Sequence, residues 1–141
     1  MIKTVIVDDH KIVVEGLSAL LSETPDIEIS GKFYNAEDAL RFLNTNEAHV
    51  VITDINLPGI NGILFCQKAT AVFKELKFIA LTMYEDAEVL SACREAGFSG
   101  YIRKECTTDE ILETLDAVID GEKRFTLPYK IKSNRKGTTT R

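Results

Sequence analysis

Short apolar runs and helical stripes alternate five times along this chain, and that alternation excludes most folds at once. Ile2–Val7 is a brief run rich in β-branched residues that ends on Asp8-Asp9, so it reads as a strand. From His10 the period changes. Val13, Leu17, Leu20 and Leu21 fall at i, i+4, i+7 and i+8, a helical stripe that stops before Pro25. Ile27–Phe33 alternates as a strand near a sheet edge, and Asn35, with Asp38 three residues on, opens a second helix through Ala39, Leu40 and Leu43. Residues 50–52 form a third strand that ends on Thr53-Asp54, before a loop punctuated by Leu57-Pro58-Gly59 and Asn61-Gly62. A helix stripe (Phe65, Ala69, Val72, Phe73) leads to a fourth strand, residues 78–81, ending at Thr82. Val89, Leu90, Cys93 and Ala96 make a helix that Gly97 closes in a left-handed cap. Tyr101-Ile102 is a fifth, short strand ending near Lys104, and Thr107 with Glu110 forms a capping box before a last stripe that runs to Gly121. The order βαβαβαβαβα, with right-handed crossovers, means an α/β protein: a parallel sheet with helices on both faces.

The 141 residues suit one domain. No apolar run approaches the ~20 residues of a membrane span, and MIKTVIVDDH reaches acids too early for a secretion signal. The cytoplasm is therefore the expected location. Cys66, Cys93 and Cys106 are odd in number and lack CxxC spacing, which argues against a disulfide framework and a zinc site. Cys66 and Cys93 fall in helical patterns as small hydrophobes. The net charge of −5 conceals an asymmetry. Residues 124–141 hold six basic and no acidic side chains, which leaves −11 for residues 1–123. The expected division is a folded domain over residues 1–123 and a basic linker or tail over 124–141, ordered at most near Phe125 and Leu127. The acidic part is by itself a poor nucleic-acid binder.

The chemistry gathers at the carboxyl ends of the strands, where open α/β sheets place their ligands. The first strand ends in Asp8-Asp9, the third in Asp54, the fourth in Thr82, the fifth near Lys104. Asp54 alone reads either as a functional carboxylate or as a loop-start Asx turn. Thr82 alone is explained by β-propensity, Tyr101 by half-burial, and Lys104 by a solvated surface. Their joint placement changes that reading. Neighbouring first and third strands would bring three carboxylates together, and such acids repel unless a cation joins them. A hard divalent ion with oxygen ligands suits the set, and Mg²⁺ is the expected one. A phosphoryl group would then rest between cation, ammonium and hydroxyl, with Asp54 as its nucleophilic acceptor. A cofactor-phosphate loop would instead be rich in Gly and Ser/Thr, so the flavodoxin-like cofactor reading fails. His10 and His49 receive no role, and Gly59 and Gly62 read as turn glycines.

VDDH at 7–10, ITDINLPGINGI at 52–63, ALTM at 80–83 and GYIRK at 100–104 together resemble the receiver domain of two-component response regulators, over residues 2 to about 123. The resemblance implies a doubly wound (βα)5 sheet with strand order 2-1-3-4-5. It implies Asp54 as acceptor of a phosphoryl group from a sensor histidine kinase, and Asp8, Asp9, Asp54 and the Asn56 backbone carbonyl around Mg²⁺. Lys104 and Thr82 would bind the phosphoryl oxygens, with Tyr101 following by a change of rotamer. Asn56 and Tyr84 would tune dephosphorylation. The resemblance implies a signalling domain, with only weak phosphotransfer and autodephosphorylation of its own. Glu105 stands where many family members have Pro, so the bond after Lys104 is expected to be trans.

VDDHKIVVEGLSALL and the pattern from GYIRKE onward are similar to receivers fused to LuxR-type helix-turn-helix output domains. The expectation is a receiver and linker that control transcription through an output domain missing here, the ending TTTR being similar to that domain's start. The rival is a natural stand-alone receiver. Pairing of two copies would use the α4-β5-α5 face or the first and fifth helices. A phosphorylation-independent pseudo-receiver is the alternative function, although such modules usually lack one of the acids, the Thr/Ser or the Lys, and this chain keeps them all. A haloacid-dehalogenase-type phosphatase would need a D-x-D nucleophile on the first strand, which is absent.

Overall fold

The computed structural model describes residues 1–83 and 86–125. Ten elements alternate: β1 (Ile2–Val7), α1 (Lys11–Ser22), β2 (Ile27–Phe33), α2 (Ala36–Thr45), β3 (Val50–Asp54), α3 (Gly62–Val72), β4 (Lys77–Thr82), α4 (Ala87–Ala96), β5 (Gly100–Arg103) and α5 (Thr108–Ile119). All pairings are parallel, in the order β2-β1-β3-β4-β5. The fold and strand order match the expectation, with β2 at one edge.

The period of two along each central strand divides the core between the two sheet faces. Val5, Val7, Val51, Phe78, Ala80 and Tyr101 face one cluster, closed by side chains from α2, α3 and α4. Ile6, Val50, Ile52, Ile79, Leu81 and Ile102 face the other, closed by α1 and α5. Phe78 holds the first cluster together, with Phe65 and Phe98 packed edge-on at 5.0 and 5.8 Å, a favoured aromatic geometry. Strands covered on both faces hold their last residues in place, and those residues form the candidate site.

The caps fall where the side chains suggest. Asn35 accepts from Asp38 N, Gly97 turns at φ 108°, and Thr107 with Glu110 forms the capping box. One detail differs from the periodic reading. Val14 is fully buried whereas Val13 is only half-buried, because α1 starts at Lys11 and presents the stripe slightly rotated. At the other end, Arg124 and Phe125 join the fold: Arg124 bridges to Gly100 in parallel and Phe125 is 7% exposed. Leu127 and the rest of the basic stretch lie outside the described residues, as does Tyr84.

The three cysteines are free. Cys66 and Cys93 are buried, and burial pushes their thiols up to about 12 and about 11, so they serve as small apolar groups. Among the described residues no peptide bond is cis and no helix is long and apolar enough to cross a membrane.

Candidate functional site

Asp8 is the first residue past β1 and is completely buried. Its Oδ1 accepts the His10 N–H at 2.9 Å and lies 3.0 Å from His10 Nδ1. His10 is the N-cap of α1 and offers that helix no side-chain acceptor, so the Asp8 carboxylate sits at the positive end of α1 in its place. Asp9 points outward, with Oδ1 3.5 Å from His10 Nδ1.

Asp54, the last residue of β3, is 2% exposed. Its Oδ1 accepts the Asn56 N–H at 2.9 Å. That contact is the Asx turn, and it also holds the carboxylate at the edge of the sheet. Lys104 follows β5 and is anchored by its own N–H, which donates to Thr82 O at 2.7 Å. Its Nζ reaches Asp8 Oδ2 at 2.8 Å and Asp54 Oδ2 at 3.0 Å. Ligand atoms of Asp8, Asp9, His10 and Asp54 all lie within 4.8 Å of one another.

Burial raises the Asp54 pKa above its ordinary value; the Asn56 N–H and Lys104 pull against that rise, and the Asp8 charge adds to it. Burial tends to lower the Lys104 pKa, but contact with Asp8 and Asp54 outweighs it and holds the ammonium above its ordinary value. One ammonium thus serves two buried carboxylates with a third beside them, and negative charge remains in excess. Asp8 Oδ2 is buried and has no aligned hydrogen-bond donor among the described residues; only the Lys104 charge faces it closely. A cation supplied with oxygen ligands fits that excess of negative charge.

The sequence-predicted residues divide in the structure. Asp8, Asp9, Asp54 and Lys104 meet in one cluster. Asn56 is exposed and lines a groove of about 670 Å³ with Asp9, Pro58, Asn61, Glu88 and Val89 among others. Thr82 and Tyr101 are buried, at 1% and 4% exposure. Tyr101 pairs with Ala80, so Thr82, two residues further along β4, shares its face. His10, given no role from sequence, stands in the acidic cluster 3.4 Å from Lys104 Nζ. Its position directly after the acid pair is the signal that could have placed it there.

The β3–α3 loop depends on two glycines for different reasons. Gly59 takes φ 71°, a turn conformation that suits glycine, and the neighbouring Ile60 N–H is held by Glu37 Oε2 at 3.2 Å. Gly62 is not a turn glycine: it is the first residue of α3, and its N–H donates to Ile55 O at 3.1 Å. A Cβ there would run into the Asp54 carbonyl oxygen and stand 2.6 Å from Ile55 Cα. Gly62→Ala should therefore cost about 1–3 kcal/mol and displace Asp54. Urea denaturation, together with the Asp54 and Asn56 amide shifts, checks both effects.

An open parallel sheet that gathers acids and one lysine at its carboxyl edge is the architecture of an α/β receiver. The chain belongs to the response regulator receiver domain family, whose model matches residues 4–116. It is 29% identical to response regulator UvrY of Escherichia coli over 123 residues, 87% of this chain and 56% of that protein. It is 31% identical to transcriptional regulatory protein LnrK of Bacillus subtilis over 121 residues, 86% of this chain and 55% of that one. The chain thus spans little more than half the length of these curated relatives. Among solved structures, a LuxR-family two-component response regulator from Aurantimonas superposes with a TM-score of 0.85 at 25% identity, covering 92% of each chain. The non-phosphorylated receiver domain of the stress response regulator RcsB from Escherichia coli gives 0.83 at 28% identity, covering 89% of this chain and 98% of that one. Receivers are signalling domains of two-component systems, and they bind Mg²⁺ at an acidic pocket such as this one.

Proposed function

We propose that this chain is a phosphorylation-activated switch in which Asp54 accepts a phosphoryl group from a sensor histidine kinase. The observation that carries the reading is the bridge of Lys104 Nζ between Asp8 Oδ2 and Asp54 Oδ2. It fixes an ammonium beside the acceptor oxygen and leaves room in the charge balance for a divalent cation.

Asp54 attacks the phosphorus of a phosphohistidine. The P–N bond breaks, the bonding pair returns to the imidazole nitrogen, and an acyl phosphate forms. The Asn56 N–H holds Asp54 Oδ1, so the carboxylate meets the phosphorus already oriented. Lys104 moves its charge onto the phosphoryl oxygens, and Thr82 donates its hydroxyl to them. Asp8, Asp9, Asp54 and the Asn56 carbonyl would hold Mg²⁺, which neutralises the incoming phosphoryl charge. Asn56 and Tyr84 would set how readily water reaches the acyl phosphate. Tyr101 follows Thr82 and carries the change to the α4-β5-α5 surface. In the whole protein that surface would govern pairing of two copies and a helix-turn-helix output domain acting on DNA. RcsB from Salmonella has been solved on promoter DNA with a beryllofluoride phosphomimetic, which supports a transcriptional output.

Mg²⁺ should stabilise the folded chain by about 2.7 kcal/mol at one hundred times its dissociation constant, and beryllofluoride should add to that only with Mg²⁺ present. Asp9→Asn should lose most of the Mg²⁺ effect. A melting temperature indifferent to both additions would overturn the reading.

A further inference from the structure

Residues 124–125 leave α5 after Gly121, at φ 93°, and run along the outer edge of β5. The Arg124 N–H donates to Ser99 O at 2.8 Å, and the Tyr101 N–H donates to Arg124 O at 3.0 Å. The Arg124 side chain reaches Glu113 on α5 at 3.3 Å. Partners in a parallel pair point to the same face, and Arg124 pairs with Gly100, so Phe125 lies beside Tyr101. Both rings belong to one core cluster, and the Arg94 guanidinium of α4 covers the Phe125 ring at 4.8 Å, a cation–π contact. Tyr101 therefore has the strand of Thr82 on one side and Phe125 on the other.

We propose that residues 124–125 form a strap docked on the β5 edge and the flank of α4, and that phosphorylation of Asp54 releases it. The inference rests on the switch reading above, in which the Tyr101 ring is drawn toward Thr82. That movement takes the ring away from Phe125 and strips one wall from its pocket. It also pulls on the β5 backbone that holds Arg124 O. The surface is thus occupied in this structure by residues 124–125, with Arg124 paired to acidic Glu113. Its release frees both the β5 edge and whatever follows residue 125.

The test is amide hydrogen exchange on the full 141-residue chain, with Mg²⁺ alone and with Mg²⁺ plus beryllofluoride. The Tyr101 and Arg124 amides should exchange about tenfold faster with beryllofluoride, while the central β1 and β3 amides stay protected. Phe125→Ala should show the fast exchange in both conditions and bind beryllofluoride several-fold more tightly, because no strap remains to be displaced. Shifts at Thr82 and Asp54 with unchanged Tyr101 and Arg124 protection would overturn the strap and leave the switch standing. Absence of any shift at Thr82 and Asp54 would overturn the switch, and the strap's release with it.

Discussion

Lys104→Met should lose about 3 kcal/mol of stability at neutral pH, the order expected when one partner of a buried ion pair is removed. The Lys104 side chain is 10% exposed, that of Asp8 0% and that of Asp54 4%. Without the ammonium, two buried carboxylates face each other with no counter-charge. The pH dependence follows from the raised Lys104 pKa, in which contact with the two acids outweighs the opposing effect of burial. A group whose folded pKa lies above its unfolded value stabilises fully below the unfolded value, here 10.5, and that contribution is lost as pH rises through the folded one. The gap between wild type and variant should therefore hold through neutral pH and close only above pH 10.5. Mg²⁺ should restore part of the loss, and should bind the variant more tightly, since no ammonium competes for the acids. Urea denaturation across pH, with and without Mg²⁺, measures all three effects. Equal stability of the two proteins would show that the bridge carries little energy.

Asp54→Asn should abolish phosphoryl uptake completely, because the amide has no nucleophilic oxygen to offer. Its effect on stability should be the opposite of Lys104→Met. Burial, the largest influence, holds the Asp54 pKa above 3.8 against the pull of the Asn56 N–H and Lys104. From pH 3.8 up to the folded value the native state binds the extra proton, so this carboxyl contributes a stability that falls as pH rises. Asn at this position retains an Oδ1 acceptor for the Asn56 N–H and carries no charge to bury. The variant should match the wild type at acid pH and exceed it above the window. A chemical denaturation series from acid to neutral pH reads the slope. A variant less stable than wild type at neutral pH would mean that the contacts with Lys104 outweigh the cost of burial.

Most of the fold was legible because each local signal agreed with the global arrangement. The period change at His10 and the caps at Asn35 and Thr107 mark real boundaries, and the acids and the lysine fall on strand ends, where spacing along the chain becomes proximity in space. What sequence missed depends on tertiary contact. Gly62 gives no local hint that its hydrogen replaces a Cβ which would strike the Asp54 carbonyl. β5 extends over Gly100 and Arg103 because β4 supplies its hydrogen bonds, not because those residues favour strands. Order near Phe125 was expected, but the bridge of Arg124 to Gly100 uses residues in a basic, aperiodic stretch too short for any period. The neighbours of His10 in sequence do not show that Lys104 arrives beside it from 94 positions away.

The most direct measurement is the intact mass of the wild-type chain after incubation with acetyl phosphate, with Mg²⁺ and with Mg²⁺ chelated, followed by peptide mapping of any adduct. The expected result is the gain of one phosphoryl group, dependent on Mg²⁺ and located at Asp54. An unchanged mass in Mg²⁺, or a phosphoryl group mapped to another residue, would contradict it.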